Sequence, residues 1–356
     1  MARRLHVVSM ACSLSLLAPA SALAAEGAAA PKQAPSQSES VIVLTAEAGG
    51  GQTKASPDTP QSSYFYQRAA ARWSPSERFD LSASLRATED LARPPDTAST
   101  FATSGDAVFF GAIDGTYDLT PHWNLTVGFN GSPSSTRDVA APSPLVTNPQ
   151  PGQEPDALVR AETWSAGVLA EAGYDSFDAD HAHDVDVAID ASAGMTGYFT
   201  DQHAIAPNSA VAKLPEQKAS LAQTRVGGTT TFTFADDTDV AVDAAYYFYN
   251  SANPADVGTF VTGLQSAWGA GLPMLPPRWT LRPEVTQRFG RLSLRAYYQY
   301  ADLALDDARG HTVGGKVQLA VGNVKLFVTG SYRTDLFAAD ETAQTWSAGA
   351  GLAWRL

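Results

Sequence analysis

Apolar and polar residues alternate one by one along much of this chain. From Phe79 to Ala87 every second residue is apolar, and the residues between them are Asp, Ser, Ser and Arg. Successive side chains of a β-strand point to opposite faces of its sheet. The alternation therefore predicts strands with one apolar and one polar face. Further stretches of this kind begin at Trp123, Val185, Val240, Leu292 and Val324.

The connections between these stretches alternate in length. Short turns are predicted near 74–78, 118–122, 175–184, 235–239, 290–291 and 322–323, and longer loops near 88–106, 132–158, 200–221, 250–277, 302–310 and 335–341. Strands of about 9–12 residues match a tilted crossing of a bilayer. The fold class predicted is all-β, a transmembrane antiparallel up-and-down β-barrel with its long loops outside the cell. A soluble β-sandwich is the alternative.

The number of strands depends on the N-terminal part of the chain. About thirteen strands follow position 62, and a barrel whose two ends lie on the same side needs an even number. The segment from Ser40 to Ala46, Ser-Val-Ile-Val-Leu-Thr-Ala, supplies the missing strand. We therefore expect about fourteen strands, and twelve, with the N-terminal part outside the barrel, stays open.

The first residues have the features of a secretory signal peptide. Arg3 and Arg4 precede an apolar stretch, and Ala22-Leu23-Ala24 matches a signal-peptidase site. We expect a signal peptide at 1–24, a flexible leader rich in Ala, Pro, Gln and Ser at 25–39, and the barrel at 40–356. The single cysteine, Cys12, lies within the predicted signal, so thiol catalysis and thiolate metal sites are excluded from the mature chain.

Composition narrows the partners. The net charge of −13 disfavours nucleic acid. Beyond the predicted signal, no apolar run reaches the roughly 18 residues of a transmembrane helix. The pattern implies no cofactor and no metal ion.

The last eight residues, 349–356, resemble the assembly signal of Gram-negative outer-membrane β-barrels. Gly351, Trp354 and Leu356 occupy the glycine, aromatic and terminal positions of that signal, although its terminal residue is usually aromatic. The resemblance is to the superfamily and to no specific family within it. It implies integral location in the cell outer membrane, insertion by the barrel-assembly machinery, and contact with outer-membrane lipid and lipopolysaccharide.

The face opposite the apolar stripes would line the lumen, and its charges divide by sign. We expect a basic wall from the C-terminal strands, consisting of Arg282, Arg288, Arg295, Lys316, Lys325 and Arg333. We expect an acidic wall from the middle strands, consisting of Glu171, Asp186, Asp190 and Asp243. Opposed walls create a transverse field that favours ions and dipolar solutes. The alternative is that these charges face inward only to avoid lipid, and pair with one another.

One long loop is unusually apolar for an external segment. Residues 250–277 include Phe260, Leu264 and Trp268, and these three are candidates for a constriction that folds into the barrel. Packing of the loop on its own rim is an equally good interpretation.

The function expected from the sequence is a passive or gated pore for small polar or ionic solutes. A plugged structural or adhesion barrel that presents its loops is one alternative. A lipid-modifying or proteolytic barrel enzyme is another, but no nucleophile or acid–base motif accompanies the histidines, so we expect no enzymatic activity. The oligomeric state is not determined by the sequence.

Overall fold

A computed structural model describes residues 40–54, 62–91, 108–141, 157–176, 185–204, 217–234, 237–250, 277–304, 308–337 and 342–356. These residues form one closed antiparallel barrel in which every strand pairs with its neighbours in the chain, and the first strand pairs with the last. The strands are β1 Val41–Lys54, β2 Ser62–Ser76, β3 Phe79–Leu91, β4 Val108–Asp118, β5 Trp123–Ala141, β6 Ala157–Asp175, β7 Val185–Ala204, β8 Gln217–Phe234, β9 Thr238–Tyr249, β10 Pro277–Phe289, β11 Leu292–Leu303, β12 Arg309–Val321, β13 Val324–Leu336 and β14 Thr342–Arg355.

The prediction of an all-β barrel with fourteen strands is confirmed. The segment predicted as the additional strand begins β1, which pairs with β14 from Val43 opposite Arg355 to Lys54 opposite Gln344. The amide of Leu356 donates to the carbonyl of Ile42 at 2.8 Å. The barrel therefore closes through the segment for which the sequence had left two possibilities.

Two of the predicted short turns contain a glycine with positive φ. Gly290 and Gly322 have φ values of 58° and 60°, which glycine adopts without steric cost. The turn at Gly290 sets Glu284 opposite Tyr297. These turns lie at one end of the barrel, called here the short-turn end, and the opposite end is called the long-loop end.

The pairing register determines the shape of the barrel. Followed once around all fourteen interfaces, the register returns to its starting strand displaced by 14 residues. Equal strand number and displacement give a strand tilt of about 35° and a backbone diameter of about 26 Å. A barrel of this width can hold inward side chains and still leave space for solute along its axis.

The outer surface is an apolar band between two aromatic belts. Between the belts, the outward faces of the described strands carry no charged side chain, and many large apolar residues there are exposed. By register the belts lie about 22 Å apart along the axis, close to the height of the apolar band of outer-membrane barrels. The short-turn belt includes Trp73, Tyr117, Trp123 and Trp354, and the long-loop belt includes Trp164, Phe248, Trp279 and Trp346.

No helix in the described residues is long and apolar enough to cross a membrane.

Several strands are longer than the sequence pattern predicted. The four strands β5 to β8 have 18–20 residues instead of about 9–12. They extend into the predicted loops at 132–158 and 200–221, and β5 passes a register shift between Ser132 and Ser135. Apolar alternation stops where lipid contact ends, whereas backbone pairing continues with polar side chains, so the pattern underestimates strand length.

Candidate functional site

All ten predicted wall residues lie on strands, at positions whose parity is opposite to that of the exposed apolar residues. The basic wall occupies β10 to β13, and the acidic wall occupies β6, β7 and β9. In a closed barrel of fourteen strands, strands seven apart face each other across the lumen. Strands β4 to β6 therefore face β11 to β13. The part that these residues play in solute passage stays a prediction.

Asp114 is an acid on the same side of the lumen that the sequence analysis did not include. It lies on β4 between the outward residues Ile113 and Gly115, and its parity matches that of the acidic wall. By register, Asp114, Glu171, Asp190 and Asp243 lie within about 5 Å of one height. In the sequence, the apolar residue Ile113 directly before Asp114 is the signal that could have predicted an inward Asp114, because Ile113 faces outward.

Most arginines of the basic wall are neutralised by nearby carboxylates. Glu284 accepts from Arg282 at 2.9 Å and from Arg295 at 2.7 Å. Arg288 pairs with Asp239 on β9. These contacts hold the guanidinium groups against the wall. The electric field of the arginines in the lumen is therefore weaker than that of an unpaired basic wall.

The most buried of these pairs lies toward the long-loop end. Arg333 donates from Nε and Nη2 to Asp335 at 2.6–2.8 Å, and the two side chains are only 5% and 1% exposed. From the sequence, 335–341 was predicted as a loop and 235–239 as a turn. Asp335 and Asp239 were therefore not predicted as partners of the basic wall. Both lie in strands, because β13 extends to Leu336 and β9 begins at Thr238.

Aromatic rings contact two cations of the basic wall. Arg282 lies 4.1 Å from the centre of the Tyr297 ring, and Lys316 Nζ lies 4.2 Å from that of Phe327. The rings fit over glycines: a Cβ at Gly314 would lie 2.4 Å from the Tyr297 hydroxyl, and one at Gly351 would lie 2.4 Å from Phe327. Such cation–π contacts are worth about 0.5–2 kcal/mol. Gly351, which belongs to the C-terminal assembly signal, thus leaves space for the Phe327 ring.

The acidic wall is less completely neutralised. Asp243 accepts from Thr229 at 3.1 Å and pairs with Arg225 at 3.4 Å. Arg225 also donates to Ser192 Oγ at 2.6 Å, and it is the only base among the described inward side chains of β4 to β9. Among the carboxylates of these strands, Arg225 forms its ion pair with Asp243.

Glu171 has no hydrogen-bond donor among the described residues, although the residue is only 9% exposed. The charged groups that act on its carboxylate are Asp190, Arg225, Asp243 and Asp114, of which three are acids. At the short-turn end of the same wall, Asp186 Oδ1 is buried without a described partner. The acidic wall therefore keeps more of its charge than the basic wall does.

The two halves of the lumen differ in accessibility. Toward the long-loop end the inward side chains are mostly buried, and Gln223 donates to Tyr249, whose hydroxyl donates to the carbonyl of Pro277, both at 2.8 Å. Toward the short-turn end, Lys325 and Arg355 are exposed. Among the described residues, the inward side chains are therefore packed near the long-loop end and include solvent-exposed ones at the short-turn end.

The predicted constriction residues Phe260, Leu264 and Trp268 lie outside the described residues, and their role stays a prediction. Two described histidines lie far apart. His122 Nδ1 is 2.8 Å from the backbone oxygen of Asp175 at the short-turn end. His311 Nδ1 is 2.7 Å from the Tyr298 hydroxyl on the outer surface.

No protein-family model and no curated protein matches the chain. Solved structures do match, and they include a transporter and a channel. The toluene transporter TbuX of Ralstonia pickettii aligns with a TM-score of 0.53 at 12% identity, over 90% of each chain. The monoaromatic hydrocarbon channel CymD aligns with a TM-score of 0.52 at 12% identity, over 90% of this chain and 89% of that one.

A deletion mutant of TodX, also described as a monoaromatic hydrocarbon channel, aligns with a TM-score of 0.51 at 10% identity. At these identities the likeness concerns the fold. The shared fold is a β-barrel, in agreement with the barrel fold implied by the C-terminal residues.

Proposed function

We propose that this protein is a gated channel of the outer membrane for small polar or ionic solutes. The observation that carries the proposal is the charge at mid-height of the lumen, where the incompletely neutralised acids Asp114, Glu171 and Asp190 lie on β4, β6 and β7, and Arg295 and Lys316 lie on β11 and β12. Charges that line a lumen favour solutes that can replace their water. The packed side chains near the long-loop end are the reason for including a gate.

Two of the similar structures are those of a toluene transporter and of a monoaromatic hydrocarbon channel. An apolar solute that passes this lumen would remove water from charged groups at mid-height without replacing their hydrogen bonds, which is unfavourable. The mid-height charges therefore favour a polar solute for this chain. Transport of a hydrocarbon is an outcome that the test below can detect.

The outer surface suits the lipid partners implied by the C-terminal residues. Trp164 stacks on Phe199 with ring centres 3.7 Å apart, and Trp279 contacts Tyr300 with ring centres 4.9 Å apart, both in the long-loop belt. Aromatic side chains at this level contact lipid headgroups. We propose that lipopolysaccharide contacts this belt.

The test is single-channel conductance of the refolded mature chain in a planar bilayer, with a salt gradient. We expect stepwise conductance and a reversal potential that indicates preference for cations. Arg295→Gln removes a mid-height cation and should increase this preference. Arg309→Gln is the matched control, because Arg309 lies on the outward parity of β12.

A bilayer that stays sealed with correctly folded protein would overturn the channel. Equal reversal-potential shifts in both arginine variants would overturn the role of the lumenal charges. In a parallel measurement, proteoliposomes that admit toluene and exclude small sugars and amino acids would overturn the polar solute.

A further inference from the structure

We infer that Asp114, Glu171 and Asp190, called here the acidic recess, bind an organic cation that carries two or more ammonium groups. The inference deepens the proposed function by naming a solute class, and it rests on that function for access to the lumen. Three features support it: a carboxylate without a described donor, the spacing of three acids, and the shape of the wall beneath them.

Glu171 is the centre of the recess. The residue is nine-tenths buried, it points inward, and no described residue donates a hydrogen bond to its carboxylate. A carboxylate that is largely shielded from water and has no protein donor is stabilised by a cation that can reach it from the lumen. Arg225 compensates it only in part, because that guanidinium is bound to Ser192 and Asp243.

The two neighbouring acids extend the recess along the wall. On β6 and β7, Glu171 lies opposite Ser192, and Gly173 lies opposite Asp190. The two acids are therefore diagonal neighbours, whose backbones are about 7 Å apart. Asp114 lies at similar height on β4 and accepts from Ser82 at 3.2 Å. The acids thus form a row of separate negative charges rather than a cluster.

This spacing argues for the type of cation. A bound metal ion needs several oxygen ligands about 2.0–2.6 Å away at the same time. Within the described residues, no group of three or more His, Cys, Asp or Glu side chains could hold a metal ion. Ammonium groups separated by short methylene chains can instead contact one carboxylate each, as charge-assisted hydrogen bonds.

Glycines keep the recess open to the lumen. A Cβ at Gly128 would lie 2.1 Å from Asp114 Oδ1, and a Cβ at Gly173 would lie 2.4 Å from Asp190 Oδ1. Both carboxylates therefore lie flat over backbone that has no side chain. The lumen in front of them stays free for the methylene chain of a ligand.

The experiment is isothermal titration calorimetry of the refolded mature chain in an uncharged detergent, with spermidine as the probe. We expect saturable binding of one spermidine per chain. Glu171→Gln combined with Asp190→Asn should weaken binding at least tenfold and preserves side-chain shape. Magnesium chloride should give no saturable binding.

Asp80→Asn is the matched control, because Asp80 is a lumenal acid that already pairs with Arg72 at 2.7 Å. Its affinity for spermidine should equal that of the wild type. Equal binding by the wild type and the double variant, or equal weakening in Asp80→Asn, would overturn the inference. Heat-dependent migration in gels shows whether each variant is folded.

The measurement separates this inference from the channel proposal. Binding is an equilibrium property that needs access from one side only, and inward side chains at the short-turn end are exposed to solvent. Saturable binding by a protein that conducts no ions would overturn the channel and keep the recess. Conductance without spermidine binding would do the reverse.

Discussion

The two walls of the lumen differ in how their charges are satisfied. On the basic side, Glu284 binds two arginines, Asp335 binds a third, and rings cover Arg282 and Lys316. On the acidic side Arg225 forms its ion pair with Asp243, and Glu171 has no described donor. The basic wall is a network with internal partners, whereas the acidic wall is incomplete.

This difference separates stability from function. Removing one partner from a satisfied network leaves an uncompensated charge, so carboxylates of the basic wall should stabilise the barrel. Carboxylates that repel one another should destabilise it, and they persist only if something else requires them. A substitution that removes one negative charge should therefore lower the free energy of unfolding on the basic wall and raise it on the acidic wall.

The largest expected effect concerns the buried pair at the long-loop end. Arg333→Met leaves Asp335 buried without its guanidinium, and we expect a loss of about 3–5 kcal/mol in the free energy of unfolding. Urea unfolding of the refolded chain in lipid, followed by tryptophan fluorescence, measures it. The double variant with Asp335→Leu should recover much of the loss. A single variant as stable as the wild type would contradict the account.

A smaller loss is expected at Glu284. Glu284→Gln removes the shared acceptor of Arg282 and Arg295, whose side chains are 16% and 19% exposed. We expect a loss of about 1–3 kcal/mol, together with a reversal potential shifted toward anions, because two arginines become uncompensated. Unchanged selectivity would show that the basic wall does not act on ions in the lumen.

The smallest expected effect has the opposite sign. Glu171→Gln relieves repulsion from Asp190, Asp243 and Asp114, and we expect a gain of about 1 kcal/mol without added cation. Spermidine should stabilise the wild type more than this variant. Asp80→Asn, which opens a half-exposed ion pair, should instead lose less than about 1 kcal/mol. A clear loss of stability in Glu171→Gln would remove the distinction between the walls.

Much of the architecture could be predicted from the chain alone. The alternation of residues such as Val324, Leu326 and Val328 predicts both the strand and the face that lies against lipid. Pairing partners were predictable only across short turns, where Gly290 sets Glu284 opposite Tyr297. Asp239 and Asp335 were missed because strand ends beyond the apolar band carry no periodic signal.

The fold class and the antiparallel strand order follow from the sequence alone, because they depend on local alternation. The sign of charge on each part of the lumen follows as well, because charge that faces lipid is costly. Only the tertiary structure decided which charges are neutralised. That depends on contacts such as Arg288 with Asp239 and Arg225 with Asp243, which form across neighbouring strands. The closure of the barrel and the register of its strands bring such partners together, and no local sequence pattern predicts them.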